Sequence, residues 1–349
     1  MVRFGIEKVR RCYHAGLLME TAMQMRPLGR TGLELSAFGF GCMTLIGWYG
    51  ARDDAEATRT LLSALDRGVT HLDTATSYQN GENERFVGSV VRDRRHGLFL
   101  ATKYGITRNS EGRMLIDNKP ESLRTAVEGS LARLGTDYID LFYLHRIDRD
   151  TAIEDSVGEL ARLVAAGKIR HVGLSECSIE TLRRAHAVHP IAAVQSEYSL
   201  WSREPEDGIL TACRELGAGL VAYSPLGRGF LAANFKSLAD LSADDVRRNQ
   251  PRFQDANAQH NARVVAALTE FAQGKGCTLP QLAIAWVLAQ GSDVLPIPGQ
   301  KTLRHLDDNL GALNVTISPA EDQALRTIIT AGQVAGDRHP PAMMKTLDA

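Results

Sequence analysis

Eight short apolar runs, each followed by a stretch of helical character, constrain this chain more than any other feature. The runs are Ser36 to Gly41, Val69 to Asp73, Leu98 to Lys103, Ile139 to His145, His171 to Ser175, Ala193 to Glu197, Leu220 to Ser224 and Val294 to Ile297. They are rich in Leu and β-branched residues with little polar alternation, as strands buried on both faces should be. The segments between them carry helix punctuation. Asp53 to Arg67 opens on acids and stops at Gly68, and Pro120 to Leu134 has Pro in its first turn and Gly135 past its end. Val157 to Ala166, Glu206 to Leu216 and Pro280 to Gln290 stop at Gly167, Gly217 and Gly291. Pro at the start and Gly past the end is the usual asymmetry of helices. Eight strand–helix units predict an α/β chain folded as one (β/α)8 TIM barrel. A doubly wound sheet is the second choice. It needs a glycine-rich phosphate loop after its first strand, and Gly39-Phe40-Gly41-Cys42-Met43-Thr44 lacks the third glycine and the helix start.

Length alone is ambiguous: 349 residues suggest two domains at ~150 each, or one barrel. The barrel reading assigns residues 25–349 to one domain and residues 1–24 to a disordered extension in front. Arg26 to Leu35 reads as a hairpin with a glycine-containing turn. Arg228 to Asn257, after the seventh strand, and the tail from Ala331 to Ala349 are long enough to serve as lids or binding loops. With 40 Lys+Arg against 41 Asp+Glu the net charge is -1, so no global field draws a nucleic acid. No run of ~18 uncharged apolar residues exists to span a membrane. Five scattered cysteines without a C-x-x-C pair argue against a disulfide framework or a metal site and for a reducing, cytoplasmic setting.

The polar residues at the predicted strand ends carry the chemistry. Asp73 ends the second run, Tyr78 follows in its loop, Lys103 ends the third and His145 ends the fourth. Active sites of barrels lie at that end. A Tyr with a pKa of ~10 is a poor proton donor at neutral pH. A neighbouring Lys is expected to lower that pKa, and Asp73 to keep the Lys charged. His145 can orient a carbonyl oxygen. Such a group moves a proton onto oxygen while something else supplies hydride to carbon. Trp48, Tyr49 and Trp201 follow strands one and six and suggest an apolar substrate pocket. Arg146 and Arg203 offer charge to a carboxylate or phosphate, or pair with Asp148 and Glu204.

These stretches together resemble the aldo-keto reductases, from about Met25 to the tail. The likeness rests on Leu72-Asp73-Thr74-Ala75 with Tyr78, Gly81-Glu82-Asn83-Glu84, Ala101-Thr102-Lys103 and Tyr143-Leu144-His145-Arg146. Gly173-Leu174-Ser175-Glu176, Gln195-Ser196-Glu197-Tyr198-Ser199 and Tyr223-Ser224-Pro225-Leu226-Gly227 extend it. The chain is most similar to the perakine-reductase-like branch. The resemblance implies an Asp–Tyr–Lys–His tetrad of Asp73, Tyr78, Lys103 and His145, with Tyr78 the general acid and Tyr78 and His145 also touching the substrate. It implies NADPH/NADP+ as cofactor and a small carbonyl compound, an aldehyde or some ketones, as substrate. Gly41, Met43, Thr44 and Asp73 are then expected along the cofactor, with Ser175, Glu176 and Gln195 at the nicotinamide amide. Tyr223 is expected to stack on its ring, and Ser224, Pro225, Leu226, Gly227, Arg228 and Gly229 to follow the pyrophosphate. Ile297, Gly299, Gln300, Lys301, His305, Asp308 and Asn309 correspond to the adenosine-phosphate segment. Glu176 replaces a common Asn, Gln300 a small hydroxyl residue, and His305 a common Arg. Barrel subunits that sense nicotinamide nucleotides and attach to channels resemble the same family, so a binding subunit with little turnover is the alternative. Monomer and small homo-oligomer remain open.

Overall fold

The computed structural model describes residues 23–232, 235, 237–243, 245–330 and 333–348. Residues 1–22 of the expected extension lie outside the described residues. The strands are β1 (Met25–Pro27), β2 (Glu34–Ser36), β3 (Phe40–Gly41), β4 (His71–Asp73), β5 (Phe99–Tyr104), β6 (Ile106–Arg108) and β7 (Met114–Ile116). They continue with β8 (Ile139–Leu144), β9 (Ile169–Ser175), β10 (Ile191–Glu197), β11 (Gly219–Tyr223) and β12 (Val294–Ile297). Each of the eight apolar runs contains or overlaps one strand of a single parallel sheet, ordered β12-β11-β10-β9-β8-β5-β4-β3. Gly39 N donates to Pro296 O at 2.9 Å and Gly41 N to Pro298 O at 3.1 Å, so the ends of the sheet meet. The result is the expected (β/α)8 barrel.

Helices α1 (Asp54–Asp66), α2 (Glu82–Val91), α3 (Pro120–Leu134), α4 (Ile153–Ala165), α5 (Ile179–Val188), α6 (Ile209–Leu216), α7 (Asp255–Lys275) and α8 (Leu279–Ala289) cover the outside. Their apolar faces and the outward strand residues form one core, which includes Leu61, Val87, Val127, Leu160 and Trp286. Inward residues such as Ala101, Leu141, Tyr143, Ala193 and Val221 form a second core inside the barrel. The hairpin β1–β2 closes the end away from the active site, adding Leu28 and Leu35 to that inner core. Gly173 is required there, because a Cβ would stand 2.4 Å from the Tyr143 ring.

A second hairpin, β6–β7, escaped the sequence reading. Its strands have three residues each and are half-buried or exposed, so no apolar run marks them. It lies in the loop between β5 and α3, at the active-site end. Among the described residues no helix is long and apolar enough to cross a membrane.

Candidate active site

Asp73 ends β4, and backbone bonds from Thr74 N to Ala101 O and from Thr76 N to Lys103 O prolong the pairing with β5. The chain then turns sharply. Gln79 and Asn80 adopt left-handed φ angles of 51° and 53°, an unusual pair of non-glycine conformations. That turn holds the Tyr78 side chain against the ends of β5 and β8. Its ring packs edge-on to His145, with centroids 5.9 Å apart, and to Trp48 at 6.3 Å. Trp48 itself has φ 73°, a strained value for a bulky residue.

Lys103 is fully buried. Its ammonium donates to the Asp73 carboxylate, to Thr74 O at 2.8 Å and to Tyr78 Oη at 3.3 Å. Gln195 Nε2 donates to the other Asp73 oxygen at 2.8 Å. Burial works against the Lys103 ammonium, but Asp73 and then Tyr78 outweigh it, and its pKa is raised. The phenol of Tyr78 departs from the sequence argument. Burial raises its pKa most, Lys103 lowers it, Asp73 raises it further, and the net shift is upward. Lys103 acts in the expected direction and burial overrides it. His145 is held well below the ordinary imidazole range by burial, then Lys103 and Arg146. Its Nδ1 lies 3.3 Å from Ser77 Oγ. The site therefore combines a protonated phenol, a neutral imidazole and a charged ammonium.

A cavity of about 1250 Å³ opens beside this group. It runs from Trp48, Tyr49, Tyr78 and His145 past Ser175, Gln195 and Tyr223 to Lys301, His305, Asp308 and Asn309. Gly41, Met43, Thr44, Asp73, Ser224, Pro225, Leu226, Arg228, Gly229, Ile297 and Gly299 also line it.

Four expected site residues stand elsewhere. Glu176 does not line the cavity. Arg338 of the tail takes both its oxygens, at 2.7 and 2.8 Å, and Glu197 N donates to it at 2.9 Å. Trp201 is buried in a cluster with Phe230 and Arg252 instead of facing the mouth. Gly227 lies beneath Trp201: a Cβ would meet the indole at 2.5 Å. Gln300 is buried, and its Oε1 accepts from Asn309 Nδ2 at 3.2 Å. His305 has its pKa lowered, chiefly by burial and then by Arg304, so it brings no charge to replace the common Arg.

The sequence reading offered the tail as a lid or binding loop but named none of its residues for the site. His339 and Met343 line the cavity. Arg228 donates to Arg338 O at 2.6 Å and to Glu197 at 2.8 Å, and His339 Nε2 lies 3.3 Å from Tyr223 Oη. The length of the tail was the available signal; nothing local marks Arg338 and His339 as site residues.

Comparison with known proteins identifies the family. The model of the aldo/keto reductase family matches residues 37–330. An aldo-keto reductase of Schizosaccharomyces pombe, whose name carries NADP(+), is 44% identical over 311 residues, 87% of this chain and 92% of that one. The glycerol dehydrogenase of Gluconobacter oxydans superposes with a TM-score of 0.80 at 30% identity, covering 88% of this chain and 95% of its own. An aldo-keto reductase of Bacillus halodurans, solved in its holo form, gives 0.73 at 28% identity, with 89% and 97% covered. The chain belongs to the aldo/keto reductase family.

Proposed function

We propose that the chain reduces aldehydes, and some ketones, to alcohols with NADPH, and that Tyr78 is the proton donor. The observation that carries the reading is the buried Lys103, bonded at once to Asp73 and to the hydroxyl of Tyr78. When bound, NADPH supplies a hydride to the carbonyl carbon and leaves as NADP+. Tyr78 gives its phenolic proton to the oxygen, which balances the reduction. Lys103 stabilises the phenolate left behind. Neutral His145, with Nδ1 3.3 Å from Ser77 Oγ, would keep its proton on Nε2 and orient the carbonyl oxygen by a hydrogen bond, without transferring that proton.

The residues present fit a dinucleotide. The cavity is long, and Thr44 Oγ1 lies buried on its wall without a hydrogen-bond partner. Ser175 and Gln195 would hold the amide, Tyr223 the ring face, and Leu226, Arg228 and Gly229 the pyrophosphate. Lys301, whose ammonium now donates to Tyr49 O at 3.0 Å, would meet the 2′-phosphate. The name of the Schizosaccharomyces pombe relative supports the phosphorylated cofactor. Free thiols at Cys42, Cys177, Cys213 and Cys277 support a cytoplasmic setting.

Two expected results test this. Lys301→Ala should weaken NADPH binding by about tenfold or more, the worth of a charged hydrogen bond, and leave NADH binding nearly as it was. Equal loss for both, measured by fluorescence titration, would remove Lys301 from the phosphate site. The rate of reduction should also show no ionisation near the usual imidazole value of ~6.5, because His145 is already neutral there. A bell limb at that pH, abolished by His145→Asn, would overturn the neutral imidazole.

A further inference from the structure

We propose that Arg146 receives a carboxylate of the substrate, so that the site favours carbonyl compounds bearing an acidic group. The inference rests on the carbonyl-reductase reading of the same site.

Arg146 directly follows His145 at the end of β8, lines the cavity and is 4% exposed. Its Nη1 donates to His145 O at 2.7 Å and reaches Ser175 Oγ at 3.5 Å. Its Nε is buried and has no partner. The pairing with Asp148 that the sequence left open does not form. The oxygens of Asp148 accept instead from Asn118 N, Asp150 N and Thr151 Oγ1, at 3.2, 3.0 and 2.8 Å.

Four other cations at or beside the cavity are paired with carboxylates. Lys103 holds Asp73, Arg133 holds Glu84, Arg228 holds Glu197 and Arg247 holds Asp245. Arg146 forms no ion pair among the described residues. The buried carboxylate that feels its charge is Glu176, and Arg338 already takes both oxygens of that group. His339, beside the same cavity, has its pKa lowered to about 2 by burial and then by Arg228, Arg146 and Arg338, so it is neutral. A guanidinium taken out of water without a counterion is costly. It persists where a ligand supplies the missing charge, and its planar fork matches a carboxylate.

The position selects substrate over cofactor. The charge of Arg146 acts on Tyr78, His145 and Tyr223, the residues around the reacting carbonyl. The nicotinamide amide is neutral and has Ser175 and Gln195 to hold it. Trp48, Phe235, Leu241 and Met343 give part of the remaining wall an apolar surface. An amphiphile with its carboxylate near the carbonyl end suits that contrast. The reduction leaves the carboxylate unchanged.

The test compares matched pairs with the carboxylate beside the carbonyl: 2-oxobutanoate with butanone, and ortho-carboxybenzaldehyde with ortho-methylbenzaldehyde. In the wild type, kcat/KM is expected to be about tenfold or more higher for the acidic member of each pair. Arg146→Gln should reduce that ratio about tenfold, mainly through KM, and Arg146→Lys should restore part of it. Benzoate and benzamide are also titrated onto the complex with NADP+, which needs no turnover. Benzoate should bind more tightly, and Arg146→Gln should abolish the difference. Equal use of both members, or an equal loss for both in Arg146→Gln, overturns the proposal and leaves the reductase reading standing. Loss of NADP+ affinity in Arg146→Gln with the ratio unchanged also overturns it, since Arg146 then serves the cofactor. Arg146-dependent benzoate binding without reduction of any carbonyl supports the anion site and rejects the reductase reading.

Discussion

Tyr78→Phe is expected to lower kcat for aldehyde reduction about 10²–10⁴-fold, the usual worth of a positioned proton donor, while NADPH still binds. The substitution removes one oxygen and keeps the ring, so the edge-on contacts with Trp48 and His145 survive. Lys103 loses one acceptor but keeps Asp73 and Thr74 O, so no buried charge is left alone. A large loss of rate with intact cofactor binding is therefore a loss of the proton. Steady-state kinetics and fluorescence titration on the same sample check both halves. Reduction at the wild-type rate would move the proton donor elsewhere. The pH dependence has a definite sign. Reduction needs the neutral phenol, whose pKa burial raises. The rate should hold through neutral pH and fall only as pH rises through that raised value. Alcohol oxidation needs the phenolate and should rise over the same interval.

Lys103→Met should have the second large effect, on stability as well as on rate. It leaves the buried Asp73 without its cation, and breaking a buried ion pair on one side costs about 3–5 kcal/mol. Denaturant unfolding should show that loss as a lower midpoint. Lys103 is also the main group that pulls the Tyr78 phenol down, against burial and Asp73. Without it the phenol pKa climbs further. The alkaline limb of reduction should move to higher pH, and alcohol oxidation should suffer more than reduction. A limb that stays in place, or moves to lower pH, would contradict the coupling between the two side chains.

The barrel was legible because its strands are buried on both faces, and continuous apolar runs such as Leu141 to Leu144 and Val294 to Ile297 betray them. The grouping of Asp73, Tyr78, Lys103 and His145 was legible because each sits at or just beyond a strand end, where topology alone converges them. Contacts between distant segments were not. Glu176 is claimed by Arg338, 162 residues away, and no local pattern announces such a pairing. Trp201 follows strand six as expected. The tight turn from Ser199 N to Ser202 O, at 3.0 Å, accompanies its burial against Gly227 and Phe230. The direction of the Tyr78 shift was misjudged for a related reason. The sequence showed which charge would stand beside the phenol, but the degree of burial that outweighs it depends on the packed mouth of the barrel.

The central claim is that this cavity passes hydride from NADPH to a carbonyl carbon, over and over, with a proton from Tyr78. Its most direct measurement uses NADPH deuterated at the transferable position of nicotinamide C4, an aldehyde in excess, and mass spectrometry of the alcohol. The expected result is one deuterium on the carbinol carbon of each alcohol formed, with many alcohols per protein molecule and very few from Tyr78→Phe. An alcohol without deuterium, or a single oxidation of bound NADPH that then stops, would contradict it and favour a nucleotide-sensing subunit.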